Sequence, residues 1–351
     1  MAVERAVVDG WSRRGLIACL LWPLSLVYAS VFKFRRLLYQ GGWMQSRKVN
    51  AVVVVVGNVI TGGAGKTPTV IAITRQLQLQ GRAVGIISRG YGRKSSECLE
   101  VQSGSHPNEV GDEPLLLRQT SQVPVFVARD RHAAAQALLA KYPLTQIIVC
   151  DDGLQHYALY RDIEVCVFDD RGCGNGWLLP AGPLREPWPR HSFPVAGQLH
   201  NRLLVLHTGQ HPAFGGYRAM RSLASFALCR DGGKISLDSL RHSSAKPLLA
   251  LAGIAQPEAF FSMLRALELP LKRTIAFSDH YAFDSFSRNE YGGYTIICTE
   301  KDALKLWSHV PDALAIPLEM VVEQAMLVEF ETHLSALLEA RLSSSHGHQT
   351  T

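Results

Sequence analysis

Apolar residues along this chain gather into short runs, separated by stretches with helical spacing. Residues 51–56 are an alanine followed by five valines. Such a run, with no polar alternation, predicts a strand buried on both faces, as in the middle of a parallel sheet. Further runs follow at 83–87, 123–127, 147–150 and 163–168, with helical patterns between them at 69–79 and 132–141. Strand and helix in alternation predict a doubly wound, mostly parallel α/β sheet. From 172 to 198 the chain turns rich in glycine, proline and tryptophan and reads as an ordered loop region. A second series follows, with strands expected at 202–206, 247–252, 274–277 and 294–298 and helices at 257–267 and 323–341. In the last helix Met326, Leu327, Phe330, Leu334, Leu337 and Leu338 share a face. This series predicts a smaller α/β domain.

Residues 15–32 have a different pattern: an apolar stretch interrupted by Pro23 and Ser25, with Arg13 and Arg14 before it and Lys33, Arg35 and Arg36 after it. Its length is at the short limit for a bilayer-spanning helix, and both flanks are basic, so the expectation is a helix lying in or dipping into one leaflet. A surface helix packed on the protein's own core is the competing reading. A cleaved signal peptide fits less well, because a nucleotide loop follows and nucleoside triphosphates are cytoplasmic.

The 351 residues and 47% hydrophobic content supply material for packed cores and exclude a disordered chain. A net charge of +6 admits nucleic acid, an anionic membrane or a phosphorylated substrate as partner. Basic residues are dispersed, aromatics make up 8%, and no nucleic-acid motif occurs, which argues against nucleic acid. The seven cysteines contain no C-x-x-C pair, so neither a zinc site nor a disulfide framework is expected.

Directly after the valine strand comes Gly57-Asn58-Val59-Ile60-Thr61-Gly62-Gly63-Ala64-Gly65-Lys66-Thr67-Pro68, and then a helical pattern. Strand, glycine loop and helix form the context of a phosphate-binding P-loop. Glycines let backbone N–H groups approach phosphate oxygens, and the helix start adds its positive dipole end. Lys66 is expected to reach the β and γ phosphates, Thr67 to face Mg²⁺, and Pro68 to sit in a first turn that needs no N–H. Gly62, Gly63, Ala64, Gly65, Lys66, Thr67 and Pro68 are thus the candidate ATP-binding residues. Ile60 replaces the first glycine of the usual pattern, and the loop is also similar to those of partitioning and septum-placing ATPases. Those carry a signature lysine where this chain has Thr61. The expected organisation is a membrane-associated helical segment at 1–40, a P-loop core at 41–198, the smaller domain at 199–341 and a disordered tail at 342–351.

A second constellation, Asp151-Asp152-Gly153-Leu154-Gln155-His156, lies at the carboxyl end of the 147–150 run, the edge where parallel sheets gather ligands. A carboxylate there can hold Mg²⁺ as a Walker B residue does. A solvated aspartate-glycine turn is the plainer alternative.

Taken in order, the P-loop, Ser88-Arg89-Gly90-Tyr91-Gly92, Gly111-Asp112-Glu113-Pro114, residues 151–156, Gly182-Pro183-Leu184-Arg185-Glu186-Pro187, Phe277-Ser278-Asp279-His280 and Thr299-Glu300-Lys301-Asp302 closely resemble the tetraacyldisaccharide 4′-kinase family of lipid A biosynthesis. The likeness runs from the amino-terminal segment to about residue 340. It implies transfer of the ATP γ-phosphate to the 4′-hydroxyl of a tetraacylated glucosamine disaccharide 1-phosphate at the cytoplasmic face of the bacterial inner membrane. The implied partners are that lipid and an anionic phospholipid surface. By the same resemblance Asp112 is the catalytic base and His280 its partner, Asp151, Asp152 and Glu186 attend the metal, and Tyr91, His156 and Arg185 contact substrate or phosphate. Without it, Asp112 is a loop aspartate, His280 a lone histidine, and Arg185 with Glu186 a surface ion pair. Arg129 and Arg131 read as a solvated basic face, with the lipid's 1-phosphate as the alternative partner. A membrane-bound ATPase acting as a positioning switch remains the other reading of the P-loop.

Overall fold

The valine run forms the centre of a nine-stranded sheet in the computed structural model, which describes residues 10–189, 202–242 and 246–346. The chain enters through helix α1 (Leu16–Gln40), then strand β1 (Val52–Gly57), helix α2 (Lys66–Leu79), β2 (Val84–Ser88), β3 (Leu99–Glu100), α3 (Pro107–Val110) and α4 (Asp112–Ser121). It continues through β4 (Val125–Val127), α5 (Arg131–Lys141), β5 (Ile147–Asp151), β6 (Ile163–Phe168), β7 (Arg202–His207) and β8 (Tyr217–Leu223). Next come β9 (Phe226–Leu228), β10 (Lys234–Ser236), α6 (Leu237–His242), β11 (Leu248–Ala252), α7 (Pro257–Ala266) and β12 (Leu271–Ala276). The chain closes with β13 (Thr295–Thr299), α8 (Glu300–Leu306), β14 (Leu314–Ile316), β15 (Leu318–Val322) and α9 (Gln324–His346).

The first sheet runs β15-β8-β7-β6-β1-β5-β2-β4-β3 and is parallel except at its edges, where β15 and β3 pair antiparallel. Every residue of β1 is buried, as the unbroken valines require. The strands on either side of β1 are β5 and β6, so the chain order reverses across it and opens a crevice at the carboxyl ends. The fold is therefore the expected P-loop α/β architecture. The second sheet, β10-β9-β14-β13-β11-β12, has its own cores, one led by Phe260 and Phe261 and the other by Phe283 and Leu306.

Three expectations need correction. The 202–206 run, expected to start the second series, extends the first sheet beside β6, and α9 buries Met326, Phe330 and Leu334 in the first core. The first sheet thus recruits chain from both sides of residue 199. The tail is helical as far as His346, because α9 continues past Arg341, while residues 347–351 and the end of the loop region lie outside the described residues. Finally, α1 is 25 residues long and runs through Pro23, giving roughly 37 Å of helix. Only Ala18, Ser25 and Tyr39 of α1 are buried, so the core-packed reading fails for most of its surface. Ser25 does not interrupt the helix: its hydroxyl donates to the Leu178 carbonyl and accepts from Ala181 N–H, both at 2.9 Å.

Candidate active site

The loop between β1 and α2 is tight because two of its glycines occupy left-handed backbone. Gly62 has φ +91° and Gly65 φ +86°. A Cβ on Gly62 would stand 3.0 Å from the Arg171 guanidinium, and one on Gly65 3.2 Å from Thr208 Oγ1. Those neighbours brace the loop from behind. Arg171, in the turn after β6, donates to the carbonyls of Thr61 (3.1 Å) and Gly63 (3.3 Å) and is held in turn by Asp169. Asn58 takes the Gly62 carbonyl at 3.2 Å and Thr208 that of Ala64 at 2.9 Å. Loop carbonyls tied up by side chains behind the loop leave its face to the N–H groups and the start of α2, which suits an anion.

Beside the loop, β5 ends in Asp151, which is almost fully buried. Ser88 donates to its Oδ2 at 3.2 Å, but Oδ1 has no protein partner. Burial, then the charges of Glu113 and Asp152, push the Asp151 carboxyl up to about 7. Its neighbour behaves oppositely. Burial would raise Asp152, but Lys66 and Arg185 outweigh it and hold the group below the usual carboxylate range. Arg185 Nη1 lies 3.1 and 3.2 Å from the two Asp152 oxygens, and Lys66 Nζ is 3.9 Å away. Adjacent carboxylates driven apart in this way are the mark of a working site.

Arg185 therefore pairs with Asp152, not with its sequence neighbour. Glu186, expected as a further metal ligand, is buried and accepts from Gln155 (2.8 Å) and Tyr157 (3.1 Å), so its carboxylate secures the loop below α1. Among the described residues no three of His, Cys, Asp and Glu cluster as a metal site. What fits a cation is the orphaned Oδ1 of Asp151, a buried acceptor near Lys66 whose charge lacks a direct counter-group.

Across the cleft, Asp112 opens α4 behind Gly111, whose φ of +95° makes the turn. His280, on the loop after β12, places Nδ1 2.9 Å from Asp112 Oδ2. One half of the pair opens a helix between strands of the first sheet and the other lies on a loop leaving the second, 168 residues apart in the chain. Burial would raise Asp112, but hydrogen bonds from His280 and Lys305 and the Lys305 charge hold it low, so it stays ionised. Tyr91 covers the His280 ring at 5.8 Å between centroids. The cleft itself measures about 2040 Å³, and its walls include Lys66, Thr67, Asp151, Asp152, Arg185 and His280. Asp112 is set just behind that wall, reached through His280 and Glu113.

This arrangement has relatives. A family model described as tetraacyldisaccharide-1-P 4′-kinase matches residues 17–343. The chain belongs to that kinase family. It is 50% identical over 354 residues to the tetraacyldisaccharide 4′-kinase of Polaromonas naphthalenivorans, covering 99% of this chain and 100% of that one. Against the enzyme of the same name from Acidovorax sp. strain JS42 the figures are 49%, 96% and 95%. The solved structure of the "apo" form of LpxK from Aquifex aeolicus in complex with ATP superposes with a TM-score of 0.76 at 27% identity, covering 92% of this chain and 99% of that chain.

Within this family fold, the remaining candidates fall in two groups. His156 is close to the site but serves it as a neutral brace: burial first and then the Arg131 charge lower it to about 4, and its Nε2 accepts from the Arg131 amide at 3.3 Å. Arg131 is buried and donates to the Asp152 carbonyl, so it is not part of a solvated face. Other contributors had no visible signal in the sequence. Arg171 and Thr208 brace the P-loop from the ends of β6 and β7, and Lys305 reaches Asp112 Oδ2 at 2.8 Å. Thr299, Lys301 and Asp302 lie inside the 299–302 motif, and Ser88, Glu113 and Asp279 inside three of the others. Asp302 accepts from Gly253 N–H (3.0 Å) and the Thr299 hydroxyl (2.7 Å), and the Gly253 carbonyl in turn receives the His280 N–H at 3.2 Å.

Proposed function

We propose that this protein transfers the γ-phosphate of ATP to the 4′-hydroxyl of a tetraacylated glucosamine disaccharide 1-phosphate. Its relatives are named for that reaction. The observation that carries the reading is the Asp112–His280 pair, built across the same cleft onto which the P-loop opens. A loop alone would serve any nucleotide switch; a buried, ionised carboxylate paired with histidine serves a hydroxyl acceptor. In this reading Asp112 takes the proton of the 4′-hydroxyl as its oxygen attacks the γ-phosphorus and ADP leaves. Lys66, with Arg185 on Asp152, offsets charge on the transferring group. Mg²⁺, held by Thr67, Asp151 and Asp152, would neutralise charge between the β and γ phosphates.

Access to a lipid falls to α1. Leu16, Leu20, Val27, Val31 and Phe34 are exposed, and Tyr28 donates to the Arg185 carbonyl at 2.8 Å, so the same helix touches the site. Among the described residues α1 alone is long and apolar enough to cross a membrane. We infer a protein seated on the cytoplasmic face of the inner membrane, its basic balance favouring anionic phospholipid. Incubation with ATP, Mg²⁺ and the disaccharide 1-phosphate in detergent should give acceptor-dependent ADP and the bis-phosphorylated lipid. Asp112→Ala should lower that rate by about a thousandfold or more, within the range for loss of a general base, while ATP binding persists. A parent protein that hydrolyses ATP without regard to the acceptor would refute the assignment.

A further inference from the structure

Helix α8 carries two lysines a helical turn apart, and both point at the Asp112–His280 pair. Lys305 Nζ lies 2.8 Å from Asp112 Oδ2, with both side chains nearly buried. Lys301 Nζ is 3.3 Å from His280 Nε2, and is held by Asp279 Oδ1 at 3.1 Å and Glu113 Oε1 at 3.7 Å. Residues four apart share a helix face, so a single short helix addresses both members of the pair.

The chemistry of an ammonium fixes what each contact does. Lysine carries donors only. Burial would lower Lys301, but Glu113 and then Asp279 outweigh it and keep the group an ammonium. Facing His280 Nε2, it requires a lone pair there, so the ring proton must sit on Nδ1, where it donates to Asp112. Lys305 donates to the same carboxylate oxygen that receives this proton, leaving Oδ1 as the oxygen not engaged by either partner.

We propose that Lys301 and Lys305 are positioning residues of the phosphoryl transfer. Lys305 keeps Asp112 ionised and turned on Oδ2, and Lys301 selects the Nδ1–H form of His280. The inference rests on the kinase reading and adds to it the device that sets the charge and geometry of the base. The charged groups facing Asp112 are Glu113 on its own helix, Asp279 and His280 on the loop after β12, and Lys301 and Lys305 on α8.

The test has two arms. In the kinetic arm, Lys305→Met should lower kcat about tenfold or more with the KM for ATP within about twofold of the parent. Losing the cation raises the Asp112 pKa, so the acidic limb of the kcat/KM profile should move up by about one pH unit, as loss of a neighbouring charge predicts. Lys305→Arg should restore the limb. Should the methionine variant fail to fold, Lys305→Gln keeps a donor without the charge and must show the same displacement. An unmoved limb, with or without a loss of rate, overturns the role for Lys305. In the second arm, ¹⁵N spectra of ring-labelled protein, with His280 assigned by His280→Gln, should show Nδ1 protonated in the parent and a tautomer mixture in Lys301→Met. An Nε2–H parent, or a variant unchanged from it, overturns the role for Lys301. A parent that makes no phosphorylated acceptor would defeat the kinase reading, while the spectra would still decide the Lys301 contact.

Discussion

Replacing Asp302 by alanine should weaken both the fold and phosphoryl transfer, although this side chain does not line the cleft. It is buried to 1% exposure and joins the Gly253 amide to the Thr299 hydroxyl. Alanine leaves the buried Gly253 N–H without an acceptor, a loss of about 1–3 kcal/mol, and removes a charge-assisted bond from Thr299 worth about as much. Some relaxation is available because the Thr299 hydroxyl can turn, so about 3 kcal/mol is the expected total. Asparagine keeps an acceptor and should lose about 1 kcal/mol. The sign of its pH dependence follows from burial, which raises the Asp302 carboxyl while bonds from Thr299 and Gly253 oppose it. A folded-state value above the unfolded one means that ionisation weakens the fold. The advantage of the parent over Asp302→Asn should therefore shrink as pH rises above about 4. The kinetic consequence runs through Gly253, whose carbonyl receives the His280 N–H. His280 holds φ +60°, a left-handed conformation that costs about 1–2 kcal/mol and relaxes when its support is cut. Urea denaturation at pH 5 and 8, with acceptor-dependent ADP release on folded protein, measures both effects. Parent-like stability in Asp302→Ala, or an asparagine variant weaker than the alanine one, would refute the reasoning.

Two further outcomes follow from the structure. His156, lowered to about 4 by burial and then Arg131, takes up a proton only in the unfolded chain between about 6.5 and 4, so its contribution is present above that window and lost as pH falls through it. The window is worth at most about 3 kcal/mol, and His156→Gln should flatten the urea midpoint between pH 7.5 and 5; an unchanged slope counts against it. Serine at Leu20, Val27 and Val31, which are 80%, 61% and 63% exposed, should remove roughly 5 kcal/mol of apolar transfer and abolish flotation with anionic vesicles. The melting temperature should stay near that of the parent, and a large fall in it would mean that this face packs within the protein.

The first sheet was legible because its central strands are buried on both faces and read as apolar runs, unbroken in β1 and interrupted in β6 only by Glu164, which is buried against Arg161. The ribbon of β8 and β15 was not. Its strands alternate, leaving Met220 and Val321 exposed, and neither carries an apolar run long enough to stand out from a loop. Arg202–His207 was recognised as a strand, but only pairing with β6 tells which sheet owns it, and pairing partners leave no mark in a single sequence. The site divides in the same way. The P-loop is local, so spacing revealed it; Asp112 and His280 are brought together by the fold, and only the family resemblance pointed to them. Adjacency in sequence suggests an ion pair between Arg185 and Glu186, yet the two side chains face different partners, one Asp152 and the other Gln155 and Tyr157.

That divergence at Arg185 explains how an exposed apolar helix and a phosphate loop come to share one site. Its N–H donates to the Val59 carbonyl at 2.7 Å, at the entrance to the P-loop, and its carbonyl receives Tyr28 of α1. Its guanidinium grips Asp152. Nearby, Thr61 N–H bonds the Pro183 carbonyl at 2.9 Å, and Ser25 of α1 bridges Leu178 and Ala181. The loop from Trp177 to Trp188 is therefore a strap with one edge on the P-loop and the other on α1. Irregular backbone needs partners when buried, and here the helix and the loop supply them. A helix attached to the nucleotide site through hydrogen bonds to this strap cannot move far without moving Arg185. On the proposed seating of α1 in a leaflet, the strap would fix the height of the P-loop above the membrane, and with it the depth at which the acceptor hydroxyl must present itself.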